Sequence, residues 1–419
     1  MTAPAGLRPL PKFIFPEVFA TDFTIHNLPY GVFRGSSGGR PRIGTAIGDK
    51  ILDLSVLASK KKLPECFGNT TLNEFMGMDK SDWSKVRATI QRYLSDDHPE
   101  SLKYDTEGLL GEALTDMSNV EMLLPCDIGD YTDFYSSEEH ATNVGKMFRP
   151  SQEPLLPNWK HLPVGYHGRA SSVVVSGKIL WASLSTPITR PCGQRKGPND
   201  PAPTFGPSTR MDIELEMAFF VGGKATQLGE SIPLSKASEH IFGVVLMNDW
   251  SSRDIQQWEY VPLGPFLGKN FGEVMVGGDI ECLTSHMNYK LSYLAHSEDS
   301  KPQIDIDLTV DLNGERICKS NLKHMYWSME QQLVHHTVNG CNVRPGDLMG
   351  SGTISGPSPD SFGSMLELSW AGQKKIKVGK SGERVFLEDG DKVTIKGRCE
   401  RDGVSLGFGE CSAFDDALS

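Results

Sequence analysis

Asp212-Ile213-Glu214-Leu215-Glu216-Met217-Ala218-Phe219-Phe220-Val221 is the stretch on which the reading of this chain turns. Its short apolar run reads as a buried strand. Alternate residues of a strand share a face, so Asp212, Glu214 and Glu216 are expected to project the same way. Three aligned carboxylates repel one another unless a cation lies between them, and the apolar neighbours make an unpaired charge costly. A solvated edge strand carrying an acidic stripe is the competing reading of the same residues.

Working outward, the chain on both sides is strand-rich. Val173 to Val175, Val244 to Met247, Ile304 to Leu308 and Lys392 to Ile395 have strand composition. Asn313-Gly314 lies between two such runs and predicts a tight hairpin. Nearer the N-terminus, glycine-punctuated runs from Pro29 to Leu54 read as a small barrel or open sheet. The spacing of Trp83, Val86, Ile90 and Leu94 predicts a helix from about Ser81. A further helix is expected from about Leu322 to Val338, stopped by Asn339-Gly340. A polar stretch from Asp97 to Asn119 sets the expected division: 1–119 as a small β module and 120–419 as a larger β domain. The fold class is therefore mainly β, mixed α+β.

Bulk properties narrow the functions. The 419 residues carry a formal net charge of −11, which argues against nucleic acid as a partner. No stretch approaches about 18 uninterrupted apolar residues, so no membrane span is expected. The eight cysteines are scattered without a Cys-x-x-Cys pair, and Met1 to Gly6 lack the basic flank and apolar run of a secretory signal. Both point to the cytoplasm.

Further polar residues surround the acidic strand in sequence. Asn248-Asp249-Trp250 follows the apolar Val244 to Met247, where Asp249 suits an oxygen-only metal shell or, equally, a turn or helix N-cap. Asp133 lies in the aromatic-flanked Tyr131-Thr132-Asp133-Phe134-Tyr135. His140 follows seven residues later, and two helical turns would bring the pair to one side. A histidine near a metal-bound water can act as general base, although a lone histidine is more often structural. His335-His336 are adjacent on a helix, cannot face one site, and are read as structural. Arg149, Arg253 and Lys269 offer cations to an anionic substrate or a developing enolate. Tyr135, Tyr166, Gln256 and Tyr260 add neutral donors. Gly350-Ser351-Gly352-Thr353-Ile354-Ser355-Gly356 offers N–H groups and the Thr353 hydroxyl to an anion, or is a plain turn. Glu367, among Met365-Leu366-Glu367-Leu368, is expected on a strand, orienting His140 or facing solvent.

Together these segments resemble the fumarylacetoacetate hydrolase family. The resemblance is carried by Gly129 to Tyr135, Leu162-Pro163-Val164-Gly165-Tyr166-His167-Gly168-Arg169, Asp212 to Phe220, Met247 to Gln256, Tyr260 to Lys269 and Ser351 to Gly356. Asn27-Leu28-Pro29-Tyr30-Gly31-Val32-Phe33 extends it to the N-terminal part. It implies an N-terminal SH3-like barrel, a C-terminal mixed β-roll domain and a homodimer. It also implies hydrolysis of 4-fumarylacetoacetate, the last step of phenylalanine and tyrosine breakdown. Carried over by position, Asp133, Glu214, Glu216 and Asp249 are implied ligands of Ca2+ or Mg2+, and Asp249 with Lys269, the latter through its backbone, of a second magnesium. His140 is the implied base with Glu367 orienting it, and Arg253 and Lys269 lie at the reacting centre. Tyr135, Arg149, Tyr166, Gln256, Tyr260 and Thr353 are the implied substrate contacts. From Glu273 to about 303 the chain departs from the family pattern, and Glu273 stands where a threonine is expected beside the second metal. The alternatives are another diketo-acid hydrolase of the superfamily, such as an acylpyruvate hydrolase, and a catalytically impaired metal-binding homologue.

Overall fold

A computed structural model of the chain describes residues 14, 21–177, 182–183, 186–187, 190–276, 294, 304–401 and 404–415. Most of the divergent segment after Val276, and the first six residues, lie outside that set.

The acidic stretch sits at the middle of the molecule. Leu215–Val221 is the central strand of a seven-stranded sheet and every residue in it is buried. Its flanking strands are Leu348–Gly350 on one side and Ile241–Asp249 on the other, both antiparallel to it. Beyond them lie Tyr131–Phe134 and Gly165–His167 at one end, and Glu273–Val276 and Val173–Val175 at the other. Period-two alternation then divides its side chains between two cores. Met217, Phe219 and Val221 pack into one, with Leu308, Val310 and Ile395 of a four-stranded sheet. Ala218 and Phe220 pack into the other, with the N-terminal module. A strand apolar on both faces is enclosed, and the carboxylates at its start are enclosed with it.

The N-terminal sheet runs Leu114–Asp116, Lys50–Asp53, Gly38–Ile47, Tyr30–Gly35, Val120–Leu123, all antiparallel. Its last strand lies past the division expected at residue 119. Pairing with Val120–Leu123 covers an edge of Tyr30–Gly35 that would otherwise be open, so the sheet continues to Leu123. The expected helix spans Lys80–Leu94 and buries Trp83, Val86, Ile90 and Leu94. Trp83 meets Phe242 edge-on at 5.1 Å, and Phe75 meets the same ring at 5.6 Å. Such aromatic pairs contribute roughly 0.5–1.5 kcal/mol each, and here they fix the module to the large sheet.

One local expectation needs revision. The helix expected from Leu322 breaks into a single turn, Leu322–His324, and a helix Met329–Thr337. Ser328 and Gln331 form a reciprocal capping box that starts the second piece. Gly340, at φ +89°, ends it as anticipated. The hairpin at Asn313-Gly314 forms with φ of +53° and +81°, joining Asp307–Leu312 to Glu315–Asn321. Among the described residues no helix is long and apolar enough to cross a membrane, and the described cysteines are free.

Candidate active site

Four carboxylates on or just beside three strands of the seven-stranded sheet converge. Asp133 lies on Tyr131–Phe134, Glu216 on Leu215–Val221, and Asp249 ends Ile241–Asp249. Glu214 stands just before its strand, bridged to Ser364. All four are buried, and one oxygen from each lies within 4.8 Å of the others. Asp133 Oδ1, Glu216 Oε1 and Asp249 Oδ1 are buried without a hydrogen-bond partner among the described residues. Leaving a buried charged oxygen unsatisfied is costly, so the set calls for a cation. An all-oxygen carboxylate cluster suits a hard divalent ion. The residues present fit one.

The electrostatics agree. Burial, then the neighbouring Asp249, pushes Asp133 well above the usual carboxylate range. Burial and then Asp133 and Asp249 do the same to Glu216. Burial pushes Asp249 up to about 6 against the pull of Lys269. Glu214 is the exception: burial opposes its ionisation, but Lys269 and Arg253 outweigh it and hold it low. The Lys269 ammonium donates to Glu214 and, at 2.7 Å, to Asp249. Lys269 and Arg253 thus offset part of the negative charge, leaving the remainder for a metal.

Asp212 does not join this cluster, contrary to the alternation expected of an unbroken strand. The chain leaves strand geometry at Ile213, between Met211–Asp212 and Leu215–Val221. Asp212 instead accepts from Arg253 Nε at 2.7 Å and from the backbone N–H groups of Ile213, Met365 and Leu366.

His140 and Glu367 come together 227 residues apart in sequence, with Nδ1 2.7 Å from Oε2. Both are buried. His140 is on a helix as expected, but that helix does not reach back to Asp133, and Glu367 is not on the expected strand. Asp133 is on a strand, and the helix Glu138–Phe148 begins only after Ser137, whose hydroxyl accepts from His140 N–H at 3.2 Å. Glu367 is on a short helix, Met365–Leu368, capped by Ser364. Three donors that the sequence reading missed also reach the Glu367 carboxylate. They are Asn143 Nδ2 at 2.9 Å, Ser355 Oγ at 2.8 Å and Ser364 Oγ at 2.9 Å. Burial opposes ionisation of Glu367, but His140, Asn143 and Ser355 hold it below its usual value. Asn143 was legible in principle, lying three residues after His140 on one helix face.

The chain matches the family described as fumarylacetoacetate (FAA) hydrolase C-terminal over residues 130–412, and fumarylacetoacetase N-terminal over 26–125. The chain belongs to the fumarylacetoacetate hydrolase family.

Its relatives in that family include the fumarylacetoacetase of Rattus norvegicus, 55% identical over 95% of this chain and 97% of the relative. The fumarylacetoacetase of Homo sapiens is 54% identical over the same shares, and that of Arabidopsis thaliana 46% over 93% and 94%. A solved fumarylacetoacetate hydrolase from Exiguobacterium antarcticum superposes with a TM-score of 0.51 at 16% identity, covering 93% of this chain and 100% of that one. A putative HpcE protein from Mycobacterium smegmatis gives 0.52 at 17%, covering 91% and 98%. These two show the fold.

The remaining family-implied positions surround the cluster unevenly. Tyr166, cross-strand from Asp133, hydrogen-bonds that carboxylate. Tyr135 stands edge-on to the His140 ring at 5.4 Å. Arg253 opens the helix Arg253–Glu259, its Nη1 giving 3.0 Å to Gln256 Oε1 and its Nη2 2.8 Å from Glu214. Thr353 Oγ1 and Arg149 Nε are buried without partners among the described residues. Tyr260 caps the Arg253 helix, its ring 6.0 Å from Phe148. The glycine-rich string does present an N–H to an anion, but the anion is the protein's own: Gly352 N–H donates to Glu216 at 3.0 Å. Gly352 has φ +78°, and a Cβ there would lie 2.2 Å from Phe134 O, so this approach requires glycine. His336 is bonded to Thr132 at 2.9 Å. Glu273, from the family-divergent segment, is buried opposite Asp249 and accepts from Ser172 at 2.7 Å. Burial and then Asp249 push its carboxyl well above the usual range.

Proposed function

We infer that this chain hydrolyses a carbon–carbon bond of 4-fumarylacetoacetate to give fumarate and acetoacetate, closing phenylalanine and tyrosine breakdown. The observation that carries this is a buried His140–Glu367 pair whose histidine acts electrostatically on Glu214, one of four converging carboxylates, in a chain whose relatives are fumarylacetoacetases. Those same relatives disfavour the other diketo-acid hydrolases as alternatives.

Asp133, Glu214, Glu216 and Asp249 would hold Ca2+ or Mg2+, which when bound supplies positive charge that polarises the substrate's 1,3-dicarbonyl oxygens. A second magnesium beside Lys269 would have Glu273 as neighbour. With Nδ1 taken by Glu367, His140 keeps Nε2 to accept a proton. It removes that proton from water as the oxygen adds to the substrate carbonyl. The imidazolium formed is stabilised by the Glu367 anion, itself held by Asn143, Ser355 and Ser364. Cleavage leaves the electron pair on carbon as the acetoacetate enolate, facing Arg253 and Lys269, and the proton returns from His140 to that carbon. Tyr135, Arg149, Tyr166, Gln256, Tyr260 and Thr353 would bind and orient the rest of the substrate. A homodimer in the cytoplasm completes the proposal.

Purified protein is assayed for fumarylacetoacetate cleavage with chelator and after Mg2+ or Ca2+ is restored. The activity is expected to vanish and return. His140→Ala is expected to abolish turnover while calorimetry still registers metal binding. Turnover retained by that variant contradicts the assigned base.

A further inference from the structure

Asp212 is fully buried, and its carboxylate accepts four hydrogen bonds. Oδ1 accepts from Ile213 N–H and Met365 N–H, each at 2.7 Å. Oδ2 accepts from Leu366 N–H at 3.0 Å and from Arg253 Nε–H at 2.7 Å. Met365 and Leu366 open the short helix whose third residue is Glu367, the partner of His140. Arg253 continues to Glu214 and Gln256. One carboxylate therefore grips both halves of the site: the guanidinium on one side and, through two backbone amides, the helix that carries the orienting acid of the base.

We propose that Asp212 is a positioning residue that fixes the Arg253 guanidinium relative to the His140–Glu367 pair. This rests on the roles given to those three residues above. Four N–H donors converge, and only an ionised carboxylate accepts from all four. An asparagine of the same shape would set an NH2 group against one pair of these donors, releasing Arg253 or the helix start. Misplacement of about 1 Å at a remote support can cost roughly a hundredfold in rate.

The test measures kcat and KM for fumarylacetoacetate, at saturating metal, with Asp212→Asn, Arg253→Lys, Glu367→Gln and the Asp212→Asn/Arg253→Lys pair. Near-ultraviolet circular dichroism checks the fold. Asp212→Asn is expected to lower kcat about 100-fold with KM within about threefold. In the Arg253→Lys background the same change is expected to cost at least about fivefold less than in wild type, because one of the two groups it positions is already lost. A kcat within about threefold of wild type overturns the proposal, as does an equal loss in both backgrounds. Should Asp212→Asn lose the native spectrum, Asp212→Glu, which keeps the charge one methylene out of place, is put through the same cycle. If Arg253→Lys and Glu367→Gln themselves keep wild-type kcat, the reading of the site fails. If they fall and the Asp212 variants do not, only the role of Asp212 fails.

Discussion

Replacing Glu367 by glutamine removes a charge while keeping a shape. Three of the donors on this carboxylate, His140 Nδ1, Ser355 and Ser364, converge on Oε2, and Asn143 reaches Oε1. Glutamine retains one acceptor oxygen for the first three, and Asn143 can turn its own oxygen toward the new NH2 group. The geometry survives, so the loss is electrostatic. A hydrogen bond to an ionised acceptor exceeds a neutral one by about 1–2 kcal/mol, which sets a floor. The attraction of two unit charges about 4 Å apart, at an effective dielectric of about 20, is about 4 kcal/mol and sets a ceiling. At about 1.4 kcal/mol per factor of ten, kcat is expected to fall between roughly tenfold and a thousandfold. KM should move little, because the imidazolium forms only after substrate is bound. Steady-state kinetics at saturating metal measure both. A kcat within about twofold of wild type, or a loss expressed only in KM, would refute the electrostatic role.

Other consequences are as direct. Glu367 ionises in the folded protein below its ordinary value of 4.5, so its contribution to stability is complete above that pH and is lost as pH falls through the lower folded value. Acid unfolding followed by tryptophan fluorescence should therefore be steeper below pH 4.5 in wild type than in Glu367→Gln. Glu216→Gln removes one of four charged ligands and should weaken divalent-ion binding by at least roughly tenfold in calorimetry. Unchanged affinity would remove Glu216 from the metal site. Phe219→Ala empties a fully buried position in the central strand and should cost about 3–5 kcal/mol in urea unfolding. Gly352→Ala forces the backbone away from Phe134 O and Glu216, lowering kcat more than stability.

How much of this was legible in the sequence depends on what set each residue's position. Glu214, Glu216 and Asp249 were legible as candidates because apolar strands with acids at their ends can enclose them, although an edge stripe or a turn fitted the same residues and the family resemblance chose between the readings. Asp212 was misplaced because nothing local announces the break at Ile213, which is imposed by contacts with Met365, Leu366 and Arg253 far along the chain. The Asp133–His140 segment carried a readable signal: β-forming Tyr131 to Phe134, then Ser136-Ser137-Glu138-Glu139, an N-cap followed by acids. Weighting that signal would have given strand, turn and helix in place of one helix. Ser364-Met365-Leu366-Glu367 likewise has the serine-to-glutamate spacing of a helix start, outweighed by its apolar alternation. The meeting of His140 with Glu367 had no local signature, and only the family resemblance paired them.

In the proposed site, four carboxylates hold one cation within electrostatic reach of His140. Anomalous diffraction from crystals of the protein loaded with Mn2+ tests it most directly. A strong peak within about 2–2.6 Å of oxygens from Asp133, Glu214, Glu216 and Asp249 is expected, with the Lys269 ammonium moved aside or sharing the outer face. A cluster still spanned by Lys269 alone, with the manganese bound elsewhere or not at all, would contradict it.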